Sequence, residues 1–169
     1  MDTYLTNEIL ETKSAAIRAF MDEKGIAYEW YEHKPVLSYE DAEEVAAEVG
    51  YTGTESKSLF LRGKKTGGYY IFFTVQGEKM DAKLIKELTG EKTSVCSGAE
   101  MQEVLGCFPG CVSPFGHEDS VTLIIDELVY DTEKLVFSPG VPNKTVVIRT
   151  ADLKTILDAQ TCRVLEYKE

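Results

Sequence analysis

Two β-rich runs, Lys57–Arg62 and Tyr69–Val75, are joined across the short stretch Lys64-Lys65-Thr66-Gly67-Gly68. So short a connection cannot return the chain to a parallel position, which takes a dozen or more residues, and the two runs read as an antiparallel hairpin. Further β-rich runs lie at Ile26–Glu32, Thr93–Cys96, Val121–Asp126, Leu135–Phe137, Thr145–Arg149 and Val164–Tyr167. Helical stretches alternate with them, yet several joins are too short for crossovers, so the sheet is mixed. The predicted fold class is mixed α/β (α+β), with helices flanking that sheet.

The helices announce their ends. Residues 7–24 place Ile9, Leu10, Ala16, Ile17, Phe20 and Met21 at helical spacing before Lys24-Gly25. Ser38, with Asp41 three residues on, resembles a capping box and opens a helix through Val49, stopped by Gly50. Asp81 caps a helix ending at Gly90, Ser97 with Glu100 opens a short one to Leu105, and Thr150 caps the last, to about Ala159. The 169 residues hold no internal repeat and no linker-like stretch, so a single domain is expected across residues 1–169. A chain of this size buries about 70% of its unfolded surface and can fold without a disulfide or a metal. Met1-Asp2-Thr3-Tyr4-Leu5 has neither the basic nor the apolar segment of a signal peptide, and no apolar run approaches the ~18 residues of a membrane span. Cys96, Cys107, Cys111 and Cys162 therefore read as reduced thiols, and a cytoplasmic location is expected.

Net charge is −11, which argues against a protein that coats DNA or RNA through bulk electrostatics. The charge is unevenly spread. Residues 51–90 carry 7 bases against 4 acids inside an otherwise acidic chain: Lys57, Arg62, Lys64, Lys65, Lys79, Lys83 and Lys86. Two readings fit, solvated strand and helix faces or a local anion-binding face.

Lys57 follows the small, polar stretch Thr52-Gly53-Thr54-Glu55-Ser56 and opens a strand. It reads either as an exposed strand residue or as a functional ammonium, a compact charge suited to a phosphate or a polarised carbonyl. Three glycines and two prolines between Gly106 and His117 exclude a regular element and indicate a shaped loop. Such a loop is either a rigid corner or a set of backbone N–H donors that cradle a developing oxyanion, and the density of Gly and Pro favours the second. Cys107, Cys111 and His117 invite a zinc reading, weakened by the Pro-Gly between the cysteines and the missing fourth ligand; no metal is expected. A Ser113–His117–Asp126 triad lacks the G-x-S-x-G elbow. His33 reads as a strand-end residue. No P-loop or dinucleotide fingerprint occurs, and no cofactor is expected.

Lys57-Ser58-Leu59-Phe60-Leu61-Arg62, Tyr69-Tyr70-Ile71-Phe72, Met80-Asp81-Ala82-Lys83 and Pro109-Gly110-Cys111-Val112-Ser113-Pro114-Phe115-Gly116 together resemble the YbaK/ProX family. These are free-standing relatives of the editing domain inserted in bacterial prolyl-tRNA synthetase, and the resemblance covers about residues 15–160. It implies a barrel-like mixed sheet flanked by helices and trans-editing hydrolysis of misacylated tRNA, typically Ala-tRNA(Pro). It implies that Lys57 is the essential lysine, engaging the phosphate region of the terminal adenosine or the substrate carbonyl. It implies that the loop through Gly110, Ser113, Pro114, Phe115, Gly116 and His117 holds the aminoacyl ester. Water attacks in that scheme, helped by the free hydroxyl of the terminal ribose, with no side-chain nucleophile. The implied partners are the CCA end of aminoacyl-tRNA and prolyl-tRNA synthetase. Alanine-specific members line the pocket with a His-Pro followed shortly by Asn. Here Ser138-Pro139-Gly140-Val141-Pro142-Asn143 stands instead, so the histidine is absent and Asn143 matches with a one-residue shift. The alternative is a non-catalytic protein of the same fold that binds an amino acid or aminoacyl-tRNA.

Overall fold

The computed structural model describes residues 7–168. The amino-terminal residues Met1–Leu5, and the side chains of Ile9 and Leu10, lie outside the described part. Among the described residues, five helices accompany eight strands: α1 (Asn7–Glu23), β1 (Glu29–Glu32), α2 (Tyr39–Val49), β2 (Thr54–Gly63), β3 (Tyr69–Val75), α3 (Ala82–Thr89), β4 (Thr93–Val95), α4 (Gly98–Leu105), β5 (Thr122–Asp126), β6 (Lys134–Phe137), β7 (Lys144–Arg149), α5 (Leu153–Ala159) and β8 (Val164–Tyr167). Among the described residues, no helix is long and apolar enough to cross a membrane.

The caps form as the sequence indicates. Ser38 Oγ accepts from Asp41 N, Ser97 Oγ from Glu100 N, and Asp81 from Lys83 N and Leu84 N, each satisfying an orphan donor of a first helical turn. Thr150 departs from expectation. It opens a single 3₁₀ turn, Thr150–Asp152, ahead of α5, and its hydroxyl pairs with that of Thr132 rather than with the helix. Two further 3₁₀ turns, Glu118–Ser120 and Glu127–Asp131, carry no sequence-level cap box.

The sheet runs β1-β7-β6-β2-β3-β5-β8, with β4 also on β2. It is mixed, as the short joins require: β2–β3, β2–β4, β1–β7 and β6–β7 are antiparallel, whereas β2–β6, β3–β5 and β5–β8 are parallel. β3 and β5 lie in its middle and are buried on both faces, which is why Tyr70-Ile71-Phe72-Phe73 is an unbroken apolar run. Side chains alternate across it. Ile71 and Phe73 join Leu123, Ile125 and Phe115 in the main core, while Tyr70 and Phe72 join Ile124, Tyr167 and Ile85 of α3 on the opposite face.

β2 is shared between the two halves of the sheet. One of its edges pairs with β3 from Ser56 to Arg62. Its other edge pairs with β6 only at Thr54 and Glu55, and with β4 only from Leu61 to Gly63. Between these contacts that second edge has no strand partner among the described residues. The Phe60 carbonyl accepts from Cys96 N on this edge, so Ser58, two residues earlier, presents its backbone groups to the same side.

Candidate active site

The gap along β2 opens into a cavity of about 540 Å³, within the range of small-molecule sites. Glu55, Ser56, Lys57 and Ser58 form one wall. The loop Phe108–Val112 forms another, joined by the 136–142 segment, Lys144 and Thr145 of β7, and the approach to α2 from His33 to Ser38. Lys57 is fixed at the start of the unpaired stretch, and its Nζ donates to the Glu78 carbonyl at 2.5 Å. An ammonium carries three donors, so this bond sets the direction of the side chain and leaves others for a ligand.

The Gly106–His117 loop is built as a shaped corner with a ligand-facing edge. Phe108 N donates to Gly140 O, and Cys111 N closes back on Phe108 O. Gly110 sits at φ +86°, a left-handed conformation that a side chain resists, and a Cβ there would meet nothing within 4 Å. The N–H groups of Gly110 and Val112 are engaged by no other described residue. Gly116 is constrained differently, at φ +87° with Ile17 Cδ1 where a Cβ would stand, 2.5 Å away.

Of the residues singled out in the sequence, Lys57 and Gly110 line the cavity together. Ser113, Pro114, Phe115 and His117 are buried behind that wall, and Gly116 packs there against α1. Ser113 Oγ donates to Phe115 O, and His117 Nε2 meets Ser113 O at 2.6 Å. Burial holds the His117 ring down to about 4, with the nearby Lys13 charge adding to it. Asp126 accepts from Thr74 Oγ1 and caps Leu128 N, so Ser113, His117 and Asp126 make no hydrogen-bonded relay. Asn143 lies beside the cavity wall rather than on it; its carbonyl accepts from His33 N, and its Oδ1 is buried without a partner among the described residues. Burial pushes the Cys111 thiol up to about 12 and the Cys107 thiol up as well, so both are protonated, inert sulfurs. Among the described residues, no group of three or more His, Cys, Asp or Glu is placed to hold a metal ion.

Sequence reasoning missed the polar side of the cavity. His33 follows β1, as its strand-end position suggests, but its Nε2 reaches Thr145 Oγ1 at 2.7 Å, a contact across 112 residues. Its Nδ1 lies 2.7 Å from the Lys34 carbonyl and donates to it, because a carbonyl oxygen only accepts. Tyr51 stands 3.5 Å from Glu55 Oε1 and packs on Tyr31. Burial raises the proton affinity of the Glu55 carboxyl, opposed only by the Tyr51 hydroxyl. Burial, and then the Glu55 charge, raise that of Tyr51.

A model of the aminoacyl-tRNA editing domain family matches residues 33–156. The chain is 31% identical over 156 residues to the prolyl-tRNA editing protein ProX of Acetoanaerobium sticklandii, covering 89% of this chain and 93% of that one. It is 23% identical over 136 residues to the multifunctional Ser/Thr-tRNA deacylase ProXp-y of Escherichia coli K12, covering 79% and 81%. A crystal structure described as a candidate trans-editing enzyme for prolyl-tRNA synthetase superposes with a TM-score of 0.71 at 23% identity, covering 93% of this chain and 97% of that one, a likeness of fold. With the family model spanning well over half of the chain, and ProX aligning to nearly all of it, the protein belongs to the aminoacyl-tRNA editing domain family, YbaK/ProX in kind, and is an enzyme of the aminoacyl-tRNA deacylase class.

Proposed function

We propose that the protein is a cytoplasmic trans-editing deacylase that hydrolyses the ester of misacylated tRNA, Ala-tRNA(Pro) first among its substrates. The observation that carries this reading is Lys57 on one wall of a single cavity and the unclaimed N–H groups of Gly110 and Val112 on another. Water attacks the ester carbon, and the carbonyl oxygen becomes an oxyanion that the loop N–H groups receive. The bond to the ribose oxygen then breaks, that oxygen takes a proton, and the free neighbouring hydroxyl assists. Lys57 anchors the phosphate region of the terminal adenosine or the carbonyl itself. Attack by water asks for no side-chain nucleophile, and the Thr145–His33 contact in the cavity belongs to its polar lining in this reading. Free-standing hydrolysis answers a physical need: a synthetic pocket rejects a smaller amino acid by only ~1–3 kcal/mol per missing methylene.

The CCA end would enter the cavity while exposed lysines meet the phosphates. Lys64, Lys65, Lys79, Lys83, Lys86 and Lys92 are all exposed, and none forms an ion pair among the described residues. Prolyl-tRNA synthetase is the proposed partner that delivers the charged tRNA. The test is hydrolysis of Ala-, Ser-, Thr- and Cys-tRNA(Pro), with Pro-tRNA(Pro) as control, by wild type and Lys57→Ala. Loss of ~10²–10³ in rate on one misacylated species, with the melting temperature retained, is expected for removal of a preorganised charge. An unchanged rate in Lys57→Ala sinks the assignment. Ser138–Asn143, without the pocket histidine, favours a second reading, in which the cavity binds charged tRNA without turnover; saturable binding with no hydrolysis by wild type would select it.

A further inference from the structure

The cavity holds a carboxylate that the hydrolytic scheme does not use. Glu55 and Lys57 stand two apart on β2, so their side chains project to the same side, and both line the cavity. Among the described residues, Glu55 is the one acid that lines the cavity; the remaining polar lining is neutral or basic. Glu55 forms no ion pair among the described residues, and its one side-chain contact is the long approach of Tyr51. Its backbone is pinned, with the carbonyl accepting from Gln76 N on one side and the strand paired with Val136 on the other. A partly desolvated carboxylate fixed in this way, with no cation of its own, is costly unless a ligand brings one.

We infer that Glu55 binds the α-ammonium of the aminoacyl group and so selects esters that carry a free amine. This rests on the deacylase reading of the same cavity. An aminoacyl ester separates its ammonium from its carbonyl by a single carbon, so one small ligand spans the two neighbouring projections of β2. The ammonium meets Glu55 while the carbonyl oxygen faces Lys57 or the Gly110 loop. Tyr51 acts beside it as a neutral donor that steadies the carboxylate. Thr145 and His33 continue the polar lining on the far side of Tyr51. The contact gives the site a way to refuse peptidyl-tRNA and formylated initiator tRNA, whose nitrogens are acylated and carry no charge, without any steric gate.

The experiment compares Ala-tRNA(Pro) with N-acetyl-Ala-tRNA(Pro) as substrates of wild type and of Glu55→Gln, which keeps the shape and removes the charge. Wild type should prefer the free amine by roughly 10- to 100-fold in kcat/KM, the scale of one hydrogen bond to a charged group. Glu55→Gln should lose that preference, through KM on the free-amine ester, while hydrolysing the acetylated ester as wild type does. Equal losses on both esters, or an unchanged preference, would overturn the inference. A binding titration with L-alaninamide, against N-acetyl-L-alaninamide, needs no turnover. The free amide should bind wild type at least tenfold more tightly than Glu55→Gln, and equal affinities refute the ammonium site whatever the hydrolysis shows. Absence of hydrolysis by wild type with Glu55-dependent binding of the amide would instead discard the deacylase reading and keep the site.

Discussion

At the scale of single residues, His117 and Glu91 show how burial and hydrogen bonding set opposite demands. The folded His117 ring takes a proton only near 4, whereas in the unfolded chain it does so near 6.5. The unfolded state therefore binds more protons between these values. Its contribution to stability is complete above about 6.5 and is lost as pH falls towards 4, by roughly 3 kcal/mol. Urea titrations from pH 7.5 to 4.5 should show this slope, and His117→Gln should flatten it. Glu91 is 4% exposed and accepts from Tyr70 Oη, Lys65 N, Thr66 N and Thr66 Oγ1. Those bonds, the Tyr70 hydroxyl foremost, hold its carboxyl at about 2. Its stabilisation is therefore complete above about 4.5 and lost only as pH falls towards 2. Glu91→Ala should speed amide exchange at residues 64–67 at neutral pH, because it strands donors that now share one carboxylate; unchanged exchange there would contradict the cradle.

At the scale of elements, the two loop glycines separate function from packing. Gly110→Ala adds strain from its positive φ but meets no neighbour, and it changes the cavity wall. It should reduce kcat/KM at least tenfold while costing about 1 kcal/mol of stability. Gly116→Ala adds a collision with Ile17 to the same strain and should cost about 2–3 kcal/mol, with less effect per folded molecule on turnover. Parallel denaturation and kinetics on the two variants check the split. These elements differ in how far the sequence revealed them. The caps at Ser38, Asp81 and Ser97 were legible because donor and acceptor lie within three residues. The hairpin was legible because a short join permits one geometry. Thr150 misled because its residue type suits a cap, while tertiary structure brings Thr132 to its hydroxyl instead. Lys57 and Gly110 stood out by local context, and the resemblance added their neighbours. Tyr51, Glu55, His33 and Thr145 did not, because only the β1–β7 and β2–β6 registers bring them together.

At the scale of the whole molecule, the charge is divided between an acidic body and one basic tract whose lysines form no ion pair among the described residues. The net −11 should repel tRNA at long range, and Lys64, Lys65, Lys79, Lys83, Lys86 and Lys92 should supply local attraction. Each phosphate contact contributes a slope of about −0.7 to −0.9 in log K against log salt. Replacing Lys79, Lys83 and Lys86 together by Gln should make that slope shallower by about two, raising KM for tRNA substrates with kcat unchanged. Equal substitution at Lys24, Lys154 and Lys168 should do neither. Fluorescence titration over a salt series distinguishes the two sets.

The unpaired edge of β2 has a colloidal consequence. A strand edge with free N–H and C=O groups is a template onto which another molecule's strand can pair, and natural sheets commonly guard such edges with lysine. Lys57 stands at the start of the open stretch, where its charge is expected to discourage edge-to-edge docking by neighbouring molecules. Lys57→Leu should therefore self-associate in a concentration-dependent way that Lys57→Arg does not share, and light scattering on the two proteins would show it. Solubility is then a second constraint on position 57, separate from any part its ammonium takes in the cavity.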